Sequence, residues 1–176
     1  MPAPKSRGRA AQADIYANII QSEVTMSAAN ALTFQEINIG ASIFDKIGML
    51  IHRIEYVPSA GTISELTTTA DYAWFGLGSS NQPTDMSADD RSIIDYKRIR
   101  FNIQTSGMYE RVEPILSDFA SLPNLGTLCA PSPLYLWMDT SGFSAAAGVV
   151  ARIYFTILRL TDVQYLELIE TRRFFG

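Results

Sequence analysis

The feature that most constrains this chain is the run GVVARIYFTILRL at residues 148–160. Every second position is apolar, namely Val149, Ala151, Ile153, Phe155 and Ile157, whereas the positions between them mix polar and apolar side chains. Successive side chains of a strand point to opposite faces, so this alternation predicts a strand with one core face and one partly polar face. Its β-branched and aromatic residues suit a pleated, half-buried surface.

The spacing of apolar residues changes from a strand period to a helical period at Thr161. Thr161 and Gln164 have the spacing of a capping box, and Asp162 complements the positive start of a helix. Apolar side chains then recur at helical spacing, and cations follow where they favour a helix C-terminus; these residues are Tyr165, Leu166, Leu168, Ile169, Arg172 and Arg173. The end of the chain therefore predicts a long strand followed at once by a short helix.

Composition limits the class of protein. The 176 residues suffice for one domain with a substantial core, and 47% hydrophobic against 18% charged residues leaves little room for a polar disordered tail. The net charge of −4 argues against a surface built wholly for nucleic acid. Cys129 is the only cysteine, which excludes an intramolecular disulfide. We find no apolar run long enough to cross a bilayer and no secretory signal, and therefore expect synthesis in the cytoplasm.

The first residues, MPAPKSRGRA, predict an extended arm. Pro2 and Pro4 disfavour helix, and Lys5, Arg7 and Arg9 have no acidic residue beside them. One interpretation is a frayed terminus. The other is an arm that orders against a neighbouring subunit, nucleic acid or anionic lipid, although three cations provide only a weak phosphate contact.

Between the arm and the terminal helix, short strand-like segments alternate with turns rich in Pro, Gly, Asn and Ser. The predicted strands lie near 18–27, 31–39, 47–57, 70–78, 94–104, 108–116, 133–139 and 148–160. Single helical turns are predicted at 41–46 and 115–121. The pattern indicates an all-β protein: a single eight-stranded jelly-roll sandwich or barrel. We divide the chain into an arm (1–14), a jelly-roll domain (15–160) and a C-terminal helix with its tail (161–176).

The layout of arm, strands and connecting loops resembles the coat subunits of small tailless icosahedral viruses that use one jelly roll per protein. The most specific part runs from FASLPNLGTLCAPSPLYLWMD through the Gly/Ala-rich turn to the final strand and helix. It is similar to capsid-like proteins of viruses of prokaryotes. The resemblance implies self-assembly into a shell, with the arm and terminal helix contacting other subunits or the interior. The sparse arm differs from the dense basic block of RNA-packaging coat proteins.

Few residues offer catalytic or metal-binding chemistry. His52 is the sole histidine and lies within an apolar strand, so it cannot supply the several imidazoles of a cupin-type metal centre. Cys129 has no basic neighbour in sequence, which favours an inert thiol. Asp85, Asp89 and Asp90 are the weak candidates for a calcium site, although their spacing matches no EF-hand. We expect no enzyme activity, no cofactor and no small-molecule substrate.

Aromatic side chains are concentrated on two predicted strands. Tyr72 and Trp74 share one strand face, and Tyr135 and Trp137 share another. We assign them to the core, with a stacking platform for sugar or single-stranded nucleic acid as the alternative. Arg98 and Arg100 lie on the polar side of the predicted strand 94–104, where they suit either solvent or a protein interface.

Two functional hypotheses follow. The first is a structural virion protein, made in the host cytoplasm, that assembles with copies of itself, with or without a second coat protein, into an icosahedral shell around the genome. Its predicted contact residues are Lys5, Arg7, Arg9, Tyr165, Leu166, Ile169, Arg172 and Arg173, with the loops at 79–91 and 140–147. The alternative is a β-sandwich recognition module that binds carbohydrate or serves as a virion spike or adhesin through the aromatic strands.

Overall fold

The structure is a computed structural model that describes residues 18–40, 46–68, 72–81, 92–100, 115–122, 125–130 and 133–175. The strands of this part are β1 (Asn18–Thr25), β2 (Thr33–Ile37), β3 (Ile47–Pro58), β4 (Tyr72–Gly78), β5 (Ile93–Ile99), β6 (Ile115–Asp118), β7 (Thr127–Cys129), β8 (Leu134–Ser141) and β9 (Gly148–Arg159). The helices are α1 (Ala60–Thr68) and α2 (Asp162–Phe175). No helix among the described residues is both long and apolar enough to span a membrane.

The strands form two antiparallel sheets. Sheet I has the order β1-β9-β3-β6, with β7 also paired to β3, and sheet II has the order β2-β8-β4-β5. The pairs are nested: β1 pairs with β9, β2 with β8, β3 with β6 and β7, and β4 with β5. This is the pattern of one long hairpin rolled into a double sheet, which is the jelly-roll arrangement. The all-β sandwich predicted from the sequence is therefore confirmed.

The hydrophobic core lies between the two sheets. Alternate residues of β9 from Val149 to Phe155 are buried, as the periodicity predicts, and Arg152 between them is exposed. Sheet II contributes Leu134, Leu136 and Met138 from β8 and Phe75 from β4, all fully buried. The ring centroid of Phe75 lies 5.0 Å from that of Tyr56 on β3, so aromatic packing joins the two sheets at the centre.

The edge of sheet I beside β3 is built from two short pieces. Arg53–Tyr56 pairs with β6 and Met49–Ile51 pairs with β7, so β6 and β7 together occupy one strand position. The register between β3 and β9 shifts between Ile51 and Arg53, which makes His52 the residue of a bulge. The sequence predicts no strand at 127–129, where β7 lies, and the predicted strand 108–116 is described only from residue 115, so the number of eight strands stays a prediction.

Two local predictions differ from the structure. The predicted helical turn at 115–121 is wrong in its first half, because Ile115–Asp118 forms strand β6 against β3. Helix α1 was not predicted, since the PSAG turn at 58–61 masked its start. Ser59 caps that helix: its Oγ accepts a 3.3 Å hydrogen bond from the Thr62 amide. The turn predicted at 41–46 and the segment 101–114 lie outside the described residues, apart from Lys46.

Candidate interaction surfaces

The exposed large apolar side chains of the described part belong to strands of sheet I or to segments that connect or follow those strands. They come from β1, β6, β7, the connection between β6 and β7, and α2: Ile19, Leu116, Leu122, Leu125, Leu128, Val163 and Leu166. Sheet II contributes none of them within the described residues. We call the members around the β6–β7 edge and α2, from Leu116 to Leu166, the apolar edge. Exposed apolar side chains that form a contiguous patch are typical of an interaction surface.

Leu125 is the most unusual member of the apolar edge. Its side chain is 65% exposed, and its backbone has a φ of 58°, a conformation that Gly or Asn adopts far more readily than Leu. The amide of Leu125 donates a 2.8 Å hydrogen bond to the Leu122 carbonyl, and its own carbonyl lies 2.7 Å from Nδ1 of His52. The local backbone therefore holds an apolar side chain outward at a conformational cost.

His52 supports this loop from the bulge of β3. Its Nε2 is 2.7 Å from the Thr156 hydroxyl on β9, while its Nδ1 contacts the Leu125 carbonyl. Both ring nitrogens are thus engaged: Nε2 ties the ring to β9, and Nδ1 ties the ring to the loop. In this geometry His52 connects the β6–β7 connection to strands β3 and β9.

Leucines also cover the start of β3. A Cβ added at Gly48 would lie 2.8 Å from Cδ1 of Leu128 and 3.1 Å from Cδ1 of Leu160. These two leucines, one from β7 and one before α2, therefore close over the same glycine. They make the apolar edge continuous from β7 to the start of α2.

Helix α2 begins at the capping box predicted from the sequence. The Gln164 amide donates to the Thr161 hydroxyl at 3.4 Å, and the Thr161 amide donates to Oε1 of Gln164 at 3.1 Å. Lys46 anchors this helix start through a 2.7 Å ion pair with Asp162. Of the predicted contact residues here, Leu166 is 58% exposed and Tyr165 is half-buried. The side chains of Ile169, Arg172 and Arg173 lie outside the described part.

The outer face of sheet I also carries a polar network, directly beside Leu116 of the apolar edge, which pairs with Glu55. The Arg53 guanidinium forms a 2.6 Å ion pair with Glu55, and the Tyr154 hydroxyl donates a 3.0 Å hydrogen bond to the same carboxylate. That hydrogen bond, followed by partial burial, raises the pKa of Tyr154 above its usual value. Both oxygens of the Glu55 carboxylate are therefore engaged by side chains of the same chain.

The outer face of sheet II presents arginines on aromatic rings. Tyr72 and Trp74 stack with ring centroids 5.7 Å apart, as their shared strand face predicts. Arg98 lies 4.0 Å from the Tyr72 ring centroid and 5.4 Å from that of Trp74, and Arg100 lies 4.9 Å from the Tyr72 centroid. These are cation–π distances. The assignment of Tyr72 and Trp74 to the core is wrong, because both are only half-buried on the outer side.

Trp137 belongs to the same outer face and is fully buried there. Its ring packs edge-on against Phe34 at 5.5 Å, and a Cβ on Gly78 would lie 2.3 Å from Cζ2 of Trp137. Its indole Nε1 has no hydrogen-bond partner among the described residues. The ring is therefore packed against sheet II from outside the sandwich. Tyr135, on the same strand face, is half-buried.

The predicted contact loop at 140–147 is held firmly to the body. The Asn30 side chain donates 3.0 Å to the Phe143 carbonyl and accepts 3.0 Å from the Phe143 amide. Glu65 on α1 accepts hydrogen bonds of 2.7 Å from the Ser144 amide and 2.9 Å from its hydroxyl. The Ser144 donors lower the pKa of Glu65 below its usual value. Ser144, Ala145 and Ala146 remain exposed at the tip.

The described residues offer no metal centre. No group of three or more His, Cys, Asp or Glu side chains in this part could hold a metal ion. Cys129 is buried, with its thiol 3.5 Å from the Met49 carbonyl. The calcium candidates Asp85, Asp89 and Asp90 lie outside the described residues, as do the arm residues Lys5, Arg7 and Arg9. Of the loop 79–91, only Ser79, Ser80 and Asn81 are described.

Comparison with known proteins gives little further information. No protein-family model matches the chain, and no curated protein matches it. A solved chain of Desmodium yellow mottle tymovirus is 12% identical, over 92% of this chain and 95% of that one, with a TM-score of 0.32. At that TM-score the two folds do not superpose well enough for the likeness to support a function.

Proposed function

We propose that this protein is a non-enzymatic coat subunit, a single jelly roll that assembles with copies of itself into a closed shell. The observation that carries the proposal is the apolar edge, because six of the seven exposed large apolar side chains of the described part come from β6, β7, their connection and α2. An exposed leucine in a left-handed backbone conformation, Leu125, is costly for an isolated subunit. Covering it with a neighbouring copy offsets that cost through burial of apolar surface.

The sandwich architecture suits repeated association. Closed assemblies reuse the same patches many times, so a modest contact between two copies suffices once several copies are joined. The rigid attachment of loop 140–147 through Asn30 and Glu65 presents its tip in one geometry. A preorganised surface of this kind loses little conformational entropy when it binds.

Several finer features belong to the same proposal. The arm residues Lys5, Arg7 and Arg9 would contact a neighbouring subunit, nucleic acid or anionic lipid, and a second coat protein would be compatible with the shell. The location would be the virion, after synthesis in the host cytoplasm, with the host expected to be prokaryotic. Deleting residues 1–12 should weaken assembly and leave the sandwich folded; particles at normal size and yield would contradict a role for the arm.

The recognition-module alternative depends on open aromatic faces. Arg98 lies directly over the Tyr72 ring, 4.0 Å from its centroid, so this ring face is not open to a sugar. Trp137, the largest aromatic side chain of β8, is fully buried. We therefore prefer the shell proposal to the recognition module.

Electron microscopy and analytical ultracentrifugation of the purified full chain test the proposal. Closed particles of uniform diameter, in equilibrium with subunits as concentration or salt is varied, would support it. A species that remains monomeric at every concentration and salt would end it. A discrete monomer or trimer that binds immobilised glycans would instead support the recognition module.

A further inference from the structure

The two edge strands of sheet II carry opposite charges. Among the described strands, whose order in this sheet is β2-β8-β4-β5, the edges are β2 and β5. Arg98 and Arg100 are exposed at the β5 edge, and neither forms an ion pair with a carboxylate among the described residues. Glu36 is exposed on β2 and likewise has no ion-pair partner in the described part.

The side chains at both edges point to the same outer face. Trp74 pairs with Arg98 on one side and with Asp139 of β8 on the other, whereas Glu36 pairs with Tyr135, four residues before Asp139. Alternation along β8 places Tyr135 and Asp139 on one face. The two edges are three strand spacings apart, or about 14 Å at about 4.8 Å per spacing, which is too far for Glu36 to neutralise the arginines of its own subunit.

The aromatic ring beneath Arg98 and Arg100 restricts the positions of both guanidinium groups. Stacking of Arg98 and Arg100 on the Tyr72 ring restricts their side chains, so that less rotamer entropy remains to be lost on binding. A guanidinium that stacks with its face still has N–H groups along its edge for a carboxylate. Arginine and aromatic side chains together are also typical of the residues that dominate binding energy at interfaces.

We propose that the β5 edge of one copy binds the β2 edge of the next, with Arg98 and Arg100 against Glu36 of a second copy. The inference rests on the proposed function, since its occupant is another copy of this chain. The chain has 18 acidic against 14 basic residues, so two copies repel overall, and a basic edge facing an acidic edge orients them. Because different patches meet, the contact is head-to-tail and propagates until rotation closes it.

Charge reversal in the full-length chain tests this contact. The variants are Arg98→Glu with Arg100→Glu, and separately Glu36→Arg, with Glu23→Arg on β1 of sheet I as the matched control. Glu23 is exposed and has no ion-pair partner among the described residues, so its reversal changes net charge as Glu36→Arg does. Assembly is followed by light scattering and sedimentation at about 0.1 M and 1 M salt, where screening lengths are about 10 Å and 3 Å.

At the lower salt, each edge variant alone should need at least about tenfold more protein for half-assembly than the parent chain, and Glu23→Arg should not. An equimolar mixture of the two edge variants should recover assembly, because each reversed edge then meets a complementary one. The differences should shrink at the higher salt.

Failure of this inference is distinct from failure of the shell proposal. A parent chain that never assembles would overturn both the shell proposal and the edge contact. A parent chain that assembles, with edge variants that assemble equally well or a mixture that does not recover, overturns the edge contact alone. If the double arginine variant fails to fold, Glu36→Arg still decides, because the exposed Glu36 side chain has no hydrogen bond or ion pair to lose in the described part. Unchanged assembly of Glu36→Arg overturns the contact. Loss of nucleic-acid binding with no recovery on mixing would assign the arginines to phosphate instead.

Discussion

The Ser117 hydroxyl donates a 2.6 Å hydrogen bond to Oδ2 of Asp95, and this bond joins the two sheets at their edges. Ser117 lies on β6 of sheet I and Asp95 on β5 of sheet II. The Asp95 side chain is only 9% exposed, and Lys97 approaches its other oxygen at 3.9 Å. A polar contact thus closes the gap between the two sheets where β5 and β6 face each other.

Replacing Ser117 by Ala should lower the free energy of unfolding by about 1–3 kcal/mol, because a largely buried carboxylate loses a short hydrogen bond. Urea denaturation under dissociating conditions measures the effect. Ser22→Ala is the matched control, since Ser22 is a half-buried serine on β1 of the same sheet and makes no hydrogen bond through its side chain in the described part. It should change stability by less than about 0.5 kcal/mol. Equal losses in both variants would remove any special role from the Ser117–Asp95 bond.

Tyr56 makes the sandwich sensitive to alkaline pH. Burial first, and the Asp95 carboxylate second, raise the pKa of Tyr56 well above its usual value. Its hydroxyl has no hydrogen-bond partner among the described residues, so we attribute the influence of Asp95 mainly to its charge. A raised folded-state pKa means that the stabilisation is fully present below the unfolded value of about 10 and is lost as pH rises from there towards the folded pKa.

Tyr56→Phe should therefore flatten the loss of stability above about pH 10. Stability at neutral pH should change by less than about 1 kcal/mol, since the hydroxyl that is removed has no hydrogen-bond partner in the described part. Urea midpoints of parent and variant, compared from pH 7 to 11, measure the difference. A variant that loses stability above pH 10 as steeply as the parent would show that another group is responsible.

Alanine substitutions at two glycines should change the stability of the fold in opposite directions. A Cβ at Gly76 would lie 2.2 Å from the Asp95 carbonyl oxygen on the neighbouring strand, whereas a Cβ at Gly61 in α1 meets nothing closer than 3.8 Å. Gly76→Ala should destabilise the fold by about 1–3 kcal/mol or more through overpacking against backbone. Gly61→Ala should stabilise it by about 0.5–1 kcal/mol through higher helix propensity. Thermal unfolding of both variants checks the signs, and a neutral Gly76→Ala would contradict the tight β4–β5 approach.

Leu125→Asn separates assembly from stability. Asn tolerates a φ of 58° better than Leu, so the isolated subunit should gain up to about 1 kcal/mol, while the loss of an exposed leucine weakens association. Leu122→Asn in the same connection is the control, because it removes an exposed leucine with no positive φ to relieve. Sedimentation measures assembly, and urea denaturation of the dissociated subunit measures stability. Normal assembly of both variants would exclude this connection from the subunit contact.

The sequence predicted the elements whose signals are local. The alternation in β9 identified its buried face, and Thr161 with Gln164 identified the helix start, because each depends on spacing within a few residues. Helix α1 had a local signal as well: Ser59 as N-cap, with Ile63 and Leu66 at helical spacing behind it. The turn residues before it suggested only a strand end.

The surfaces were harder to predict because they depend on pairing between distant segments. Tyr72 and Trp74 look like core residues by composition, and only the β4–β5 register shows that Arg98 lies beside them. The Ser117–Asp95 bond likewise requires the two sheets to be stacked. Leu125 gave no signal at all, since a positive φ at a leucine cannot be anticipated from sequence pattern.

The nesting of β1 against β9 has a consequence for biosynthesis. A nascent chain that has not yet emerged through residues 148–159 has no partner for β1, and the centre of β3 is unpaired on the same side. Contacts this far apart in sequence form late and slowly. Sheet I therefore forms only after its last strand has been translated. A truncated product lacks the complete sheet whose strands carry the apolar edge. Under the proposed assembly, ribosome-bound fragments would therefore lack the surface through which completed chains join.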